Sequence, residues 1–313
     1  MKPEILVVAR IYPPTLAVLE REYTVHNLWS AREPDALLKQ VAGSVRGAVT
    51  TGLIGFDRAR MEAVPNLEII ASFGTPNGTV DLAAAKERGV IVANTPDSIQ
   101  ELVAELAIGL AIGIMRKVCE TDRFVRAGRW LTESPPMGVS LIGKTCGIVA
   151  LGRIGKGIAR RAEAFGMSVC YHGPRRKEDV PYPYYPDLEE LARRSDCLIV
   201  TCPLLPATRG LISARMLDAL GPEGFLVNVA RGPVVDEQAL IAALKERRIA
   251  GAALDVFWDE PRVPEELFPL DNVVLNPHIG TATLDVRQER GRKLLANLRA
   301  HFSGRPVLYP ISG

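Results

Sequence analysis

The first 95 residues alternate short apolar runs with segments in which apolar side chains recur at helical spacing. The apolar runs predict strands at residues 5–9, 23–26, 45–49, 68–71 and 90–92, and the segments between them predict helices at 15–20, 35–41, 57–63 and 82–87. Strands separated by about ten helical residues need right-handed crossovers and form a parallel sheet. None of these helices begins at a glycine-rich phosphate-binding loop.

A longer helical pattern runs from the boundary between Asp97 and Ser98 to about Ala127. Ser98 and Glu101 have the spacing of a capping box, in which each side chain accepts a hydrogen bond from a backbone N–H at the helix start. A helix of this length can pass from one domain into another. Its uninterrupted apolar stretch, residues 106–115, is far shorter than the roughly 18 residues that a membrane span requires, so a buried helix is expected.

A second alternating series predicts six strands, at residues 146–151, 167–171, 197–202, 225–229, 252–256 and 273–276. Six strands with intervening helices match a complete doubly wound dinucleotide-binding sheet. The last helix, from residue 283 to about 302, is then expected to pack back on the first domain. The predicted fold class is α/β, with two doubly wound parallel-sheet domains and an interdomain cleft. Residues 1–97 and 286–313 form a flavodoxin-like substrate domain, and residues 98–285 form a Rossmann NAD(P)-binding domain.

Residues 147–159 are predicted to form a strand, a turn and an amphipathic helix. Gly152 lets the backbone approach a pyrophosphate, and Gly155 permits close packing of the helix on the strand. The free amides and the dipole of the helix start favour a bound anion. Ala150 stands where the dinucleotide-binding pattern has its first glycine. Because the turn begins a six-strand series, it predicts a cofactor site at Gly152, Arg153, Ile154 and Gly155.

The end of the second strand in this series bears on the choice between NAD and NADP. An acid about twenty residues after the glycine turn would hydrogen-bond the ribose 2′-hydroxyl of NAD. Here Gly173 is followed by Arg175 and Arg176, and no acid occurs before Glu178. Arginines bind a 2′-phosphate through charge-assisted hydrogen bonds. The alternative is a solvated basic loop, since Asp179 follows Glu178 directly. The missing acid favours NADP(H) and leaves NAD(H) as the second choice.

Three strand ends of the second half carry reactive side chains, at the edge where open parallel sheets bind ligands. They are Arg231, the acidic segment 255–260 that ends in Glu260, and His278. Arginine clamps a carboxylate and polarises the neighbouring carbonyl, and histidine protonates the oxygen as hydride arrives at the carbon. A carboxylate behind the histidine orients its ring. Each residue alone has a structural explanation: Arg231 could cap a loop, Glu260 could be a turn residue, and His278 could be a histidine with satisfied hydrogen bonds. Together they favour reduction of a 2-oxo acid.

Composition adds limits rather than a function. Apolar residues make up 47% of the chain and charged residues 24%, which is typical of a globular protein, and the net charge of +2 suggests no nucleic-acid or membrane partner. Cysteines 146, 170, 197 and 202 lie in strand-like runs and are expected to be buried thiols, which fits a cytoplasmic location. The N-terminus lacks a signal-peptide cleavage pattern. No cluster of Cys, His and Asp suggests a metal.

Six motifs occur between residues 94 and 280: Asn94-Thr-Pro-Asp, Leu151-Gly-Arg-Ile-Gly, Cys202-Pro-Leu-Leu-Pro-Ala-Thr, Asn228-Val-Ala-Arg-Gly-Pro-Val-Val-Asp-Glu, Leu254-Asp-Val-Phe and Asn276-Pro-His-Ile-Gly. Together they resemble the D-isomer-specific 2-hydroxyacid dehydrogenase family, and within it the glyoxylate/hydroxypyruvate reductase branch. The resemblance implies that Arg231 anchors the substrate, that Glu260 is the partner of the histidine, and that His278 is the acid/base.

The same resemblance implies further contacts. The cofactor contacts are Cys202, Pro203, Thr208, Ala230 and Asp255, the last of them near the nicotinamide amide. The implied ligand is a small 2-oxo or 2-hydroxy acid. Homodimers formed through the nucleotide-binding domain are usual in this family, and Trp130 matches a tryptophan that packs near the partner's active site.

One loop departs from the family pattern. Family members carry a Val-Gly pair whose backbone amides bind the substrate carboxylate, and the matching pair here is Thr75-Pro76. Proline has no N–H to donate, so one of those hydrogen bonds is lost. The substrate contacts expected in this half are Gly74 and Thr75, with the Thr75 hydroxyl, Asn77 and Asn94 as compensating donors. The chemistry is expected to be retained and the choice of substrate to be altered.

Alternatives within the same fold stay open. Formate dehydrogenases carry glutamine at the position of Glu260, which disfavours them. Phosphite dehydrogenases keep the arginine, glutamate and histidine. A dinucleotide-sensing corepressor, a binding protein rather than an enzyme, can also keep them, although no long disordered tail supports this reading.

Overall fold

In the computed structural model, which describes residues 2–76, 78–96 and 99–311, the chain forms two parallel β-sheets. Unit 1 comprises Met1–Asp97 and Ala282–Gly313, and unit 2 comprises Ser98–Thr281. The division therefore falls four residues before position 286. The last helix already begins at Leu284, because the Thr283 hydroxyl caps it by accepting a hydrogen bond from the Val286 N–H. Ser98 of the predicted capping box and Asn77 of the substrate loop lie outside the described residues.

Unit 1 contains five parallel strands in the order β2-β1-β3-β4-β5. The strands are β1 (Glu4–Val7), β2 (Thr24–Asn27), β3 (Val45–Thr51), β4 (Ile69–Phe73) and β5 (Ile91–Ala93). Its first four helices are α1 (Pro13–Glu22), α2 (Pro34–Val41), α3 (Arg58–Glu62) and α4 (Leu82–Glu87). The elements expected from the sequence are confirmed, with shifts of a few residues at their ends.

Local chemistry explains where these helices begin. Proline occupies the first turn of α1 and of α2, where its missing N–H costs no helical hydrogen bond. The carboxylates of Asp57 and Asp81 cap α3 and α4 by accepting hydrogen bonds from the N–H groups of Arg60 (2.9 Å) and Ala84 (2.8 Å).

Unit 2 contains six parallel strands in the order β11-β10-β9-β8-β6-β7. They are β6 (Thr145–Val149), β7 (Ser168–His172), β8 (Cys197–Val200), β9 (Phe225–Asn228), β10 (Gly251–Leu254) and β11 (Val273–Leu275). The helices are α5 (Ile99–Met115), α6 (Val118–Arg126), α7 (Arg153–Ala164), α8 (Leu188–Arg194), α9 (Ala214–Leu220) and α10 (Glu237–Lys245). Because β7 and β8 lie on opposite sides of β6, the winding reverses at β6. A doubly wound sheet binds its ligand at such a reversal.

The final helix, α11 (Leu284–Phe302), belongs to unit 1. Its apolar side chains Leu294, Leu295 and Leu298 pack on the face of the sheet that carries Ile69, Ala71 and Phe73 of β4. The opposite face of the sheet is covered by a second apolar cluster that includes Phe56 and Met61. Both faces of the sheet are therefore buried, as a parallel sheet requires.

The prediction of one helix continuing to Ala127 is wrong. Helix α5 ends at Met115, and Lys117 adopts a left-handed conformation (φ 55°) before α6 begins. The backbone N–H of Val139 donates to the Met115 carbonyl at 2.7 Å, and Gly138 lies so close that a Cβ there would be 2.7 Å from the Arg116 Cα. The carbonyl that would have continued the helix is thus satisfied by a distant segment, which periodicity cannot reveal.

The four cysteines expected in strands are buried. Burial raises the pKa of Cys170 and Cys202 to about 11 and that of Cys197 to about 12, so these thiols stay protonated near neutral pH. Across the described ranges, no helix combines the length and apolar character needed to cross a bilayer.

Candidate active site

The turn after β6 has the geometry of a dinucleotide-binding turn. Ala150 takes a left-handed conformation (φ 74°), which explains why the usual pattern has glycine at this position. Its carbonyl accepts hydrogen bonds from the Gly152 N–H (3.0 Å) and the Thr201 hydroxyl (2.7 Å). A Cβ on Gly155 would lie 2.6 Å from the same carbonyl oxygen, so only glycine lets α7 pack this close. The turn is therefore held in place by hydrogen bonds and close packing within the protein.

The space beside Gly152 fits an anionic cofactor. Gly152 is the N-cap of α7, and a Cβ built on it would meet no protein atom within 4 Å. The packing of the protein therefore does not explain why this position is glycine. The first N–H groups of a helix have no partner within the helix, and the helix dipole adds a partial positive charge. The turn therefore offers an open approach and unsatisfied donors to a pyrophosphate.

Replacing Ala150 with glycine should stabilise unit 2 by about 1 kcal/mol. The substitution removes about 1–2 kcal/mol of left-handed strain, and this outweighs the conformational entropy that glycine gains in the unfolded chain. Urea denaturation of the protein without cofactor measures the change. Ala242→Gly in α10 is the matched control and should destabilise the protein by about 1 kcal/mol. If both substitutions destabilise the protein, the strain at Ala150 is negligible.

The loop after β7 holds two exposed arginines. Arg175 and Arg176 make no hydrogen bond or ion pair with any residue in the described part of the chain. The loop is fixed on both sides of them, because the Tyr184 hydroxyl donates to the Gly173 carbonyl (3.0 Å) and the Lys177 N–H donates to the Tyr171 hydroxyl (2.7 Å). Both guanidinium groups are thus presented on an anchored loop.

The acid that follows does not neutralise these arginines. Asp179 forms an ion pair with Lys156, which lies on the first turn of α7. Lys156 in turn holds the pKa of Asp179 below its ordinary value. The alternative of a solvated basic loop depends on Glu178 and Asp179, and in this structure Asp179 is paired with Lys156 instead of with the two arginines.

The loop after β8 contains Cys202, Pro203 and Thr208. The Thr208 hydroxyl donates to the Pro203 carbonyl (2.6 Å) and accepts from the Leu205 N–H (2.8 Å). Cys202 is buried. In this structure Thr208 therefore braces the loop, and Pro203 lies exposed beside it.

The Arg231 loop is held by a residue to which the sequence assigned no role. The side chain of the fully buried Asn228 accepts a hydrogen bond from the Ala230 N–H (3.1 Å) and donates to the Arg231 carbonyl (3.2 Å). A Cβ on Gly232 would lie 2.0 Å from the backbone of Phe257, so the loop presses directly on the segment that leads to Glu260. Arg231 itself is exposed, with Nη1 donating to the Ala230 carbonyl at 2.6 Å.

Glu260 and His278 form a hydrogen-bonded pair. His278 Nδ1 lies 2.6 Å from Glu260 Oε2, and Glu260 Oε1 accepts from the Phe257 N–H at 3.0 Å. The side chain of Glu260 is 22% exposed and that of His278 is 42% exposed. His278 Nε2 has no partner among the described residues. The pair therefore presents one ring nitrogen outward and fixes the other on a carboxylate.

Asp255 holds the turn that carries His278. It is 2% exposed, and its two carboxylate oxygens accept hydrogen bonds from the Ile279 N–H (2.8 Å) and the Gly280 N–H (2.9 Å). Burial raises the pKa of Asp255 above its ordinary value, and the two amide hydrogen bonds oppose that rise. These bonds hold the turn in which His278 has φ 53°. The family resemblance implies that Asp255 lies near the nicotinamide amide, and this stays a prediction. In this structure both of its oxygens hold the turn that carries His278.

No group of three or more His, Cys, Asp or Glu side chains within 2–76, 78–96 and 99–311 is arranged to hold a metal ion. A hydrogen bond links Glu260 and His278, and Asp255 holds the backbone of the two residues that follow His278. The Arg231 loop packs against Phe257, between Asp255 and Glu260. A winding reversal, a glycine turn at that reversal and a carboxylate–histidine pair at neighbouring strand ends define the class of NAD(P)-dependent dehydrogenases.

Comparison with known proteins specifies this class further. The model of the D-isomer specific 2-hydroxyacid dehydrogenase NAD binding domain matches residues 108–280. The chain is 46% identical to glyoxylate/hydroxypyruvate reductase A HPR2 of Arabidopsis thaliana over 94% of each chain. It is 43% identical to hydroxyphenylpyruvate reductase of Plectranthus scutellarioides, again over 94% of each. The chain therefore belongs to the D-isomer specific 2-hydroxyacid dehydrogenase family and is an NAD(P)-dependent oxidoreductase.

A solved structure agrees with this assignment. The NADPH-dependent glyoxylate/hydroxypyruvate reductase SmGhrB of Sinorhizobium meliloti, in complex with NADP and malonate, is 38% identical to this chain. The two superpose with a TM-score of 0.82 over 100% of this chain and 97% of that chain.

Proposed function

We propose that this protein reduces small 2-oxo acids of the glyoxylate or hydroxypyruvate kind to D-2-hydroxy acids with NADPH. The observation that carries the proposal is the 2.6 Å contact between His278 Nδ1 and Glu260 Oε2, at strand ends of a cofactor-binding sheet. The name of the relative at 46% identity supports this substrate class, and the name of the relative at 43% identity supports reduction of 2-oxo acids more broadly.

In this proposal His278 is the acid. Glu260 fixes Nδ1, so that the proton on Nε2 points away from the carboxylate and can be given to the carbonyl oxygen of the substrate. A positive charge on the ring is stabilised by the adjacent carboxylate. Asp255 acts through the turn and keeps the ring in place. When bound, the nicotinamide supplies the hydride that reduces the carbonyl carbon.

Arg231 is proposed to anchor the substrate. Its guanidinium is exposed at the end of β9, on a loop braced by Asn228. A guanidinium binds a carboxylate through two parallel hydrogen bonds and polarises the carbonyl beside it. The resemblance assigns further substrate contacts to Gly74 and Thr75 in unit 1.

The proposed cofactor contacts follow the geometry of unit 2. Gly152, Arg153, Ile154 and Gly155 would bind the pyrophosphate. Gly173, Arg175 and Arg176 would hold the adenosine 2′-phosphate, and Cys202, Pro203, Thr208 and Ala230 would line the remaining cofactor. The anchored arginines carry the preference for NADPH, and the SmGhrB complex with NADP supports it.

A substrate panel tests the proposal. Glyoxylate, hydroxypyruvate, 4-hydroxyphenylpyruvate and phosphite are each assayed with NADPH and NADH, or with NADP⁺ and NAD⁺ for phosphite. We expect turnover of at least one 2-oxo acid, with NADPH preferred and a D product on chiral chromatography. The exposed Leu53 and Ile54, which follow β3, are a reason to include the aromatic substrate. Oxidation of phosphite alone would overturn the proposal in favour of a phosphite dehydrogenase. Tight NADPH binding without any turnover would overturn it in favour of a dinucleotide-sensing corepressor.

We further propose a homodimer formed through unit 2. Apolar side chains are exposed on the segment after α6, where Trp130 is 67%, Leu131 89% and Met137 90% accessible. Burying such side chains against a second copy is favourable. Sedimentation equilibrium should report a particle of twice 34.0 kDa. A monomer at micromolar concentration would contradict this.

A further inference from the structure

Two arginines of α11 lie over the turn that ends β4. Arg287 and Arg290 are three residues apart, so they share one face of the helix. The Arg287 Cζ lies 6.0 Å from the centre of the Phe73 ring, and Arg290 Nη1 lies 3.6 Å from the place of a Cβ on Gly74. The carboxyl end of β4 is thus flanked by two guanidinium groups of the same unit.

Arg287 lacks an anionic partner. It is half-buried, and besides the Phe73 ring it has no hydrogen bond or ion pair within residues 2–76, 78–96 and 99–311. Burial, and after it the charge of Arg290, lowers the pKa of Arg287. A guanidinium nevertheless stays charged in proteins. A partly desolvated cation next to a second cation is unfavourable, and a bound anion would offset both effects.

The backbone of the turn has few donors to offer. The Gly74 N–H already donates to the buried Thr95 hydroxyl at 2.7 Å, and Pro76 has no N–H. Within residues 74–76 only the Thr75 amide makes no hydrogen bond to a described residue. A carboxylate has two oxygens and about four acceptor sites, so the two hydrogen bonds proposed for Arg231 and one from the Thr75 amide would still leave an acceptor site without a donor.

We propose that Arg287, together with the Thr75 amide, forms a carboxylate-binding site in unit 1 that takes the carboxylate of the 2-oxo acid. Arg287 then supplies the donors that Pro76 lacks, and it sets the affinity for substrate rather than for cofactor. The inference rests on the proposed function, because the carboxylate is taken to be that of the substrate.

Arg287→Met should raise the KM for the 2-oxo acid by about 10- to 100-fold, as expected for the loss of a charge-assisted pair. The KM for NADPH should stay within about twofold. Arg287→Lys should give a smaller loss, since lysine keeps the charge without the bidentate geometry. Arg292→Met is the matched control: Arg292 is exposed on the same helix, pairs with Glu289, and should show no change.

A double-mutant cycle separates this role from a structural one. Pro76→Gly restores a backbone N–H, so in that background Arg287→Met should cost only a few-fold in KM. Equal losses in both backgrounds would overturn the inference. So would parallel losses in NADPH affinity and melting temperature. If Arg287→Met does not fold, Arg287→Gln, which keeps length and polarity, replaces it in the cycle.

Oxalate binding distinguishes this inference from the proposed function. Oxalate has carboxylates but no reducible carbonyl, so its affinity for the protein–NADPH complex is measured by calorimetry without turnover. We expect Arg287→Met to weaken oxalate by the same 10- to 100-fold. If the wild-type protein reduces no 2-oxo acid but oxalate affinity still depends on Arg287, the proposed function fails and the site stands. Unchanged oxalate affinity in Arg287→Met overturns the site.

Discussion

Replacing His278 with glutamine should lower kcat for the preferred 2-oxo acid by about 10²- to 10⁴-fold, the usual contribution of a positioned general acid. Glutamine retains a hydrogen-bonding group beside Glu260 but has no proton to transfer near neutral pH. The affinity for NADPH should not change, because the turn at Gly152 and the Arg175–Arg176 loop are built by other elements. Steady-state kinetics and NADPH fluorescence titration measure the two quantities.

His26 provides the matched control for this substitution. It is another histidine hydrogen-bonded to a carboxylate, with Nε2 2.7 Å from Glu4 Oε2, on β2 of unit 1. His26→Gln should leave kcat within about twofold, since no reacting group meets it. Full turnover in His278→Gln would remove His278 from the role of acid.

Changing both Arg175 and Arg176 to serine should lower kcat/KM with NADPH by about 100-fold, because charge-assisted hydrogen bonds to a phosphate contribute about 1.5–3 kcal/mol. The value with NADH should change little, since NADH has no 2′-phosphate. The preference for NADPH should therefore largely disappear. Initial rates with each cofactor at saturating 2-oxo acid measure the ratio.

Two comparisons make this cofactor experiment decisive. Arg193→Ser removes another exposed arginine of unit 2, one that is paired with Glu189, and should leave the cofactor ratio unchanged. Equal losses with NADPH and NADH in the double variant would indicate a disturbed loop instead of a lost phosphate contact. An unchanged ratio would contradict the assignment of the two arginines.

Local patterns sufficed for the architecture of both sheets. The strands of a parallel sheet are buried on both faces, so they are near-continuous apolar runs that can be located without a partner strand. The glycine turn could also be predicted from local sequence. Its backbone needs a glycine at Gly155 for close packing and a left-handed conformation at Ala150. Arg231, Glu260 and His278 were predicted as the reactive set by a topological rule, since ligands bind at the carboxyl ends of parallel strands.

Contacts between distant segments could not be predicted in this way. The break at Lys117 depends on the Val139 N–H reaching the Met115 carbonyl, 24 residues away along the chain. Asn228 can brace the Arg231 loop only because that loop folds back over the end of β9. The hydrogen bonds that Asp255 accepts from Ile279 and Gly280 join two strand ends, which its motif alone does not reveal.

The sequence by itself determined the two-sheet α/β fold and the family, and it predicted a set of reactive residues, because these follow from periodicity and short motifs. Only the tertiary structure decided which donors remain available to a ligand. It pairs Glu260 with His278 and leaves Nε2 open, ties Asp179 to Lys156 away from the two arginines, and satisfies the Gly74 amide with Thr95. The physical reason is that each polar group bonds to whatever the fold brings within about 3 Å, and that neighbour is set by packing rather than by position in the chain.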